Sequence, residues 1–267
     1  MIAKIGQALG ASAVIAAIAL VQPWGRASAQ DSEDLRVRVG LGGQLRPEYV
    51  GADSTKLAPL VDVDLARGTN PFRFEAPDYS FGIPVISSGG FSAGPAANFA
   101  RGRRESDVGA PVGRVRGTFE AGGFASYEFA DSLYVRGEVL KGLGGHDGWV
   151  GAVGIDRFWR DGDRYVISVG PRLLFSDSRY QRANFGVSPE VSIQAVLPVY
   201  RPDGGLHGVA AATGMSYQFN PRWGLFGFGR FERLIGDAAR SPIVRRFGSR
   251  NQLSGGLGLS YTFTVKK

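Results

Sequence analysis

The stretch Leu257-Gly258-Leu259-Ser260-Tyr261-Thr262-Phe263-Thr264-Val265 alternates apolar or aromatic residues with small or polar ones. A period of two over this length predicts a β-strand with two unlike faces. The apolar face contains Leu257, Leu259, Tyr261 and Phe263, and its aromatic end is typical of a strand that leaves hydrocarbon for lipid headgroups. The stretch therefore predicts the closing C-terminal strand of a transmembrane β-barrel. The edge strand of a soluble sandwich is the alternative.

Composition is compatible with one barrel domain. The chain has 267 residues, which suits a single β-barrel. Its mean hydropathy of −0.06 resembles that of a soluble protein, but half of each barrel strand is polar, so a barrel with a polar lumen gives the same value. The chain contains no cysteine, which excludes disulfides, thiolate zinc sites and cysteine nucleophiles.

Residues 1–29 have the features of a cleavable secretory signal peptide. Lys4 provides the positive start, Ala8 to Val21 the apolar region, and Ala27-Ser28-Ala29 the cleavage site. The apolar region is too short to span a bilayer as a helix. We therefore expect export to the outer membrane of a Gram-negative cell, with residues 30–267 as the mature barrel domain.

The net charge of the mature chain bears on the kinds of partner that the protein can bind. Removing Lys4 and Arg26 with the signal peptide leaves 29 basic against 24 acidic residues, a net charge of +5. No dense run of Lys and Arg occurs, so we expect no nucleic-acid partner. Outer-membrane lipid and anionic lipopolysaccharide are compatible with this charge.

The alternation recurs along the mature chain, and the connections between strands are of two kinds. The short ones are residues 87–89, 130–132, 160–163 and 220–221; the long ones are about 47–56, 102–116, 142–148, 177–205 and 234–251. Short periplasmic turns alternate with long outer loops in outer-membrane barrels. The predicted fold is all-β: an antiparallel transmembrane β-barrel of about twelve strands, with ten as the lower count.

Two regions leave the strand assignment open. Phe72 and Phe74 flank Arg73 and predict a strand, but a break near Ala76-Pro77 decides the strand count. Residues 223–231 carry aromatic side chains on both faces, so their lipid-facing side is not defined. No part of the mature chain shows a helical period.

Charged residues of both signs fall on the predicted inward faces. The predicted lumen lining is Arg36, Arg38, Glu120, Arg136, Glu138, Asp156 and Arg172. Such a lumen forms either an aqueous channel or a plugged network of ion pairs, and the sequence leaves both open.

Four loop segments resemble the MipA/OmpV family of outer-membrane proteins. They are Arg46-Pro47-Glu48-Tyr49-Val50-Gly51-Ala52-Asp53, Arg101-Gly102-Arg103-Arg104-Glu105-Ser106-Asp107, Tyr180 with Phe185-Gly186-Val187-Ser188-Pro189, and Leu234-Ile235-Gly236-Asp237-Ala238-Ala239-Arg240-Ser241-Pro242-Ile243-Val244. The resemblance implies a monomeric or loosely assembled outer-membrane barrel. It also implies a scaffold that contacts a lytic transglycosylase and a penicillin-binding protein, and it transfers no catalytic residues.

These loop residues also have a structural interpretation, because Pro, Gly and Asp fix turns. The residues concerned are Pro47, Glu48, Tyr49, Gly51, Gly236, Asp237, Ser241 and Pro242. Asp237 is predicted to cap a short helical turn.

Motifs for catalysis are weak. Residues 90–94 match G-x-S-x-G, but an alternating strand follows where a hydrolase needs a helix. His146 and His207 are the only imidazole bases, and neither has a serine at close strand spacing. We therefore expect no catalytic, metal or cofactor-binding residues. A structural scaffold linked to murein enzymes is the leading function, a small-solute channel the second, and a lipid-modifying barrel enzyme the third.

Overall fold

The computed structural model describes residues 34–129 and 132–266, so the predicted signal peptide lies outside the described residues. The strands are β1 Leu35–Pro47, β2 Thr55–Arg67, β3 Phe81–Gly82, β4 Ile86–Ser88, β5 Phe91–Ala100, β6 Thr118–Phe129, β7 Leu133–Leu143, β8 Trp149–Asp161, β9 Tyr165–Ser176, β10 Gly205–Gln218, β11 Trp223–Leu234 and β12 Asn251–Val265. The helices are α1 Glu105–Val108, α2 Ser178–Phe185, α3 Pro189–Ala195, α4 Gly236–Arg240 and α5 Pro242–Phe247. Within the described part of the chain, no helix has the length and apolar character that crossing a membrane requires.

The strands form one antiparallel twelve-stranded sheet in which the first long strand pairs with the last. Leu35 of β1 lies opposite Val265 of β12, so both ends of the barrel domain lie at the same rim. Short turns connect strands at this rim and long loops at the other, which makes it the periplasmic rim. The predicted all-β antiparallel barrel is confirmed.

The barrel has a seam between β2 and the pair β3 and β4. Among the described residues no ladder joins these strands, and β3 and β4 pair only with β5. The chain between them, residues 68–80, is here called the lumen segment because it enters the barrel after β2. The predicted strand around Phe72 to Phe74 is therefore wrong: these residues alternate, but their rings are buried inside the barrel instead of facing lipid.

The two faces of each wall strand match its alternation. On β12, Leu257 and Leu259 are 59% and 54% exposed on the outer, lipid-facing surface, whereas Ser260 is buried on the inner face. On β11, the structure settles the face that the sequence left open. Trp223 and Phe231 point outward and Phe226 is buried inward.

Glycines allow β1 and β12 to approach closely. A β-carbon at Gly258 would lie 2.5 Å from the ring of the inward Phe226. A β-carbon at Gly42 would lie 2.1 Å from the carbonyl oxygen of Leu257 on β12. The inward aromatic ring thus occupies space left by glycine, and the pairing that joins the first strand to the last depends on Gly42.

We expect Gly42→Ala to weaken this pairing. The added methyl group meets backbone, which cannot swing away as a side chain can, so the free energy of unfolding should fall by about 1–3 kcal/mol. Gly137→Ala on β7 is the matched control, because its β-carbon meets nothing within 4 Å. Urea titration of the two variants in detergent micelles, followed by tryptophan fluorescence, measures the difference. Equal midpoints would contradict the assignment.

Candidate functional site

The lumen segment is held in the barrel first by aromatic contacts. Phe74 stacks on Phe158 of β8 with ring centroids 4.4 Å apart, and it meets Tyr134 of β7 edge-on at 5.3 Å. Phe72 lies beneath two arginines of β1, and its backbone N–H donates to Asp163 in the β8–β9 turn at 2.8 Å. The segment therefore contacts opposite walls of the barrel near its periplasmic end.

Arg172 is the centre of the polar network above these rings. Its guanidinium contacts Asp156 on β8 and Asp78 of the lumen segment, each at 2.8 Å. Tyr79 donates its hydroxyl to Asp156 at 2.7 Å, and Arg230 of β11 reaches Asp78 at 3.0 Å. Three wall strands and the lumen segment are thus joined, and the side chains of Arg172, Asp156 and Asp78 at the centre are almost fully buried.

A second arginine makes the same kind of connection nearby. Arg136 pairs with Glu138 on its own strand at 3.1 Å and with Glu75 of the lumen segment. It also donates to the carbonyl oxygen of Ser80 at 2.8 Å. The ring of Tyr79 lies between the guanidinium groups of Arg136 and Arg172, at 5.0 and 4.5 Å. The lumen at this level is filled by charge pairs and rings.

The predicted lumen-lining arginines are each paired with a carboxylate. The pairs are Arg36 with Asp163, Arg38 with Asp64, Arg136 with Glu138, and Arg172 with Asp156. The predicted residue Glu120 is also buried, where it accepts from Asn98 at 2.7 Å.

Sequence reasoning missed the partners that come from the lumen segment. These are Glu75, Asp78 and Tyr79, together with Arg230 on the wall. The available signal was the break at Ala76-Pro77 inside an otherwise alternating stretch. Proline lacks the N–H that a central strand must donate, so the break argued against a wall strand.

The long outer loops pack together into a cap over the outer rim of the barrel. One apolar cluster joins Val112, Val187 and Ile243, and another joins Tyr180, Phe185, Leu234, Ala238 and Val244. The cap contains all five helices of the described residues, although no stretch of the sequence shows a helical period. None of these helices exceeds eight residues, so none leaves a readable period of 3.6 residues in the sequence.

The family-like loop segments meet inside this cap. Tyr49 donates its hydroxyl to the carbonyl of Phe247 at 3.1 Å, and the buried Ser241 donates to the carbonyl of Phe185 at 2.8 Å. Gly51 has a φ of 93°, in the left-handed region, and packs beside Val244. These contacts show structural use of the segments.

The predicted capping role of Asp237 is wrong. Ile235 is the N-cap of α4, without a side-chain cap, and Asp237 lies in the first turn. Its carboxylate instead accepts from the backbone N–H of Asp203 at 2.8 Å. Asp237 therefore ties α4 to the neighbouring loop, a contact between segments that local sequence does not reveal.

A cavity of about 360 Å³ lies between the lumen segment below and the cap above. Asp78, Tyr79 and Ser80 line its floor, and Tyr180 of α2 lines it from the cap. Burial raises the pKa of the Tyr180 phenol, which therefore stays protonated. The cavity thus has charged walls within the barrel and a roof formed by the cap.

The two histidines are buried beside Tyr180. His146 lies 2.9 Å from Glu120, and its ring meets Tyr180 edge-on. His207 lies 3.0 Å from the hydroxyl of Ser176. Sequence spacing does not reveal this contact, because β9 and β10 pair and bring together residues 31 positions apart.

Ser176 and His207 do not form a complete catalytic arrangement. Both are buried, and no carboxylate hydrogen-bonds to His207 among the described residues. A serine nucleophile needs a base that a third group orients and an open path to substrate.

An antiparallel barrel with apolar outward faces, a plugged polar lumen and a capped outer rim defines an outer-membrane β-barrel protein. The chain belongs to the MipA family. The family model, described as MltA-interacting protein MipA, matches residues 39–263. The predicted family is confirmed.

Several solved structures are similar at low identity. The KdgM porin is 9% identical, with 86% of this chain and 99% of that chain covered and a TM-score of 0.36. The NanC porin is 9% identical, with 85% and 98% covered and a TM-score of 0.40. An outer membrane channel from Pseudomonas putida F1 is 8% identical, with 89% and 100% covered and a TM-score of 0.44. No curated protein matches the chain.

We expect Arg172→Met to destabilise the barrel strongly. The substitution leaves Asp78 and Asp156 buried and short of a cationic partner, which should cost about 3–5 kcal/mol of unfolding free energy. Asp156→Asn added to Arg172→Met should restore part of the loss because it removes one of the buried charges. Arg164→Met is the control. It breaks the ion pair with Asp161, in which the two side chains are 69% and 60% exposed, and should change the free energy of unfolding by about 1 kcal/mol or less. Urea unfolding of all four proteins gives the values, and equal losses for Arg172→Met and Arg164→Met would refute the network.

Proposed function

We propose that this protein is a plugged outer-membrane scaffold that holds murein-synthesising and murein-hydrolysing enzymes at its periplasmic rim. The observation that carries the proposal is the lumen segment, which is tied by ion pairs to the barrel walls. A barrel whose lumen is blocked near its periplasmic end does not conduct solutes and is expected to act through its surfaces. The family description, MltA-interacting protein, names a protein partner and no solute.

A small-solute channel is less well supported. That hypothesis relied on Arg36, Arg38, Arg136 and Arg172 as free charges that select anions. Each of them is neutralised by a carboxylate within 3.1 Å. Paired charges attract passing ions weakly, and the lumen segment occupies the path.

A lipid-modifying enzyme is also less well supported, and we propose that the protein has no catalytic function. The Ser176 and His207 pair is buried under the cap without an orienting carboxylate among the described residues.

The periplasmic rim has a charge that suits an acidic partner. Its exposed basic residues are Arg67, Arg157, Arg164, Arg222 and Lys266. Among the described residues of this rim, Asp161 in the β8–β9 turn is exposed and acidic. Charge complementarity at a rim mainly speeds association and selects partners. An enzyme with an acidic patch is therefore the partner chemistry that this rim fits.

Planar-bilayer recording tests whether the lumen is plugged. The intact protein should show no discrete conductance steps. Replacing residues 68–80 by a short Gly-Ser linker should produce steps, because the linker lacks the rings and charges that fill the lumen. Ohmic steps from the intact protein would overturn the plugged state and favour the channel.

Charge reversal at the periplasmic rim tests the scaffold itself. The double variant Arg164→Glu and Arg222→Glu should reduce co-precipitation of a lytic transglycosylase and a penicillin-binding protein several-fold, with a weaker effect at high salt. Arg245→Glu, an exposed arginine on the outer cap, is the matched control and should bind normally. Absence of either enzyme from precipitates of the unaltered protein would refute the scaffold, whatever the conductance result.

A further inference from the structure

The cavity beneath the cap has a basic mouth. Arg46 at the end of β1 and Arg101 just after β5 both line it at the outer rim, together with Glu48, whose carboxylate is paired with Lys56 at 3.0 Å. Neither forms an ion pair within the described residues, unlike the arginines deeper in the lumen. The Nε of Arg46 is buried without a hydrogen-bond partner. An anion placed between these two guanidinium groups would be attracted by both charges and could accept charge-assisted hydrogen bonds from them.

The inner wall of the same cavity is acidic. It carries four carboxylates and two arginines: Asp78, Glu120, Glu138, Glu232, Arg172 and Arg230. Arg230 contacts both Asp78 and Glu232, Arg172 also pairs with Asp78, and Arg136 pairs with Glu138, which leaves Glu120 without an arginine partner among the described residues. The acidic excess therefore lies inside and the basic excess at the mouth.

The separation between the two ends follows from the strand register. Asn98 lies opposite Glu120 across β5 and β6. Asn98 is three residues below Arg101 along the chain, which is about 10 Å at the rise of a β-strand. This spacing is close to the length of an extended tripeptide, whose ammonium and carboxylate lie at opposite ends.

We propose that the cavity is a binding site for a small zwitterion of the short-peptide class. The ligand carboxylate lies between Arg46 and Arg101, and its ammonium group points inward to Glu120 and Glu232. The volume of about 360 Å³ lies within the range of small-molecule sites. The buried Tyr180 lines the cavity from the cap side, so a bound ligand would have the cap above it.

Calorimetric titration of the full protein in detergent micelles tests the site with three probes: trialanine, N-acetyl-trialanine and trialanine amide. Trialanine should bind, and loss of either terminal charge should weaken binding roughly tenfold or more. Equal binding of the acetylated peptide would overturn the zwitterion assignment, and no heat with any probe would overturn the site.

Substitutions then locate the ligand. Arg101→Gln and Glu232→Gln should each weaken trialanine binding roughly tenfold. Arg101 is exposed, so its replacement leaves the barrel fold intact. Arg245→Gln on the cap surface is the matched control and should bind normally. Unchanged affinity in Arg101→Gln would contradict the proposal.

Discussion

Neutralisation of buried charge inside the barrel is the constraint on which the rest of this structure depends. Arginines that face a lumen stay charged, and without water each needs a carboxylate close by. Arg172 meets this need from two sides, with Asp156 on the wall and Asp78 on the lumen segment. Each lumen arginine already has a carboxylate on a wall strand or in a turn, and residues 68–80 add Glu75 and Asp78 to these pairs, so the same charges tie this segment to the barrel.

Contacts inside the lumen also account for the seam between β2 and the pair β3 and β4. The chain after β2 could have continued the ladder, but Phe72 and Phe74 are buried against Arg38 and Phe158 instead. Burying two phenylalanine rings stabilises the inserted position by several kcal/mol, on the order of 1.5–3 kcal/mol for each ring. The price is a missing ladder between β2 and β3, while the pairing of β1 with β12 keeps the chain ends together.

The lumen segment separates the periplasmic rim of the protein from the cavity under the cap. Below the segment, the periplasmic rim is an exposed basic surface that suits a protein partner. Above it, a charged cavity lies under a cap with its own apolar clusters. The cap is rigidly built, since its helices share buried side chains such as Ile243 and Phe185. Protein contact and small-molecule binding can therefore occur at opposite ends without competing for one surface.

The sequence by itself determined the antiparallel barrel, the two kinds of connection and the family. These depend on a period of two and on local turn chemistry, which neighbouring residues reveal, as in residues 257–265. Only the tertiary structure decided the rest: Asp78 beside Arg172, Ser176 beside His207, and the loops folded into a cap. Those contacts join residues that are far apart in the chain. Strand order and register decide which of these residues lie next to one another in space. The alternation of Phe72-Arg73-Phe74 is compatible with a wall strand and with a segment inside the lumen. Only contacts with distant residues in the folded barrel decide between these two positions.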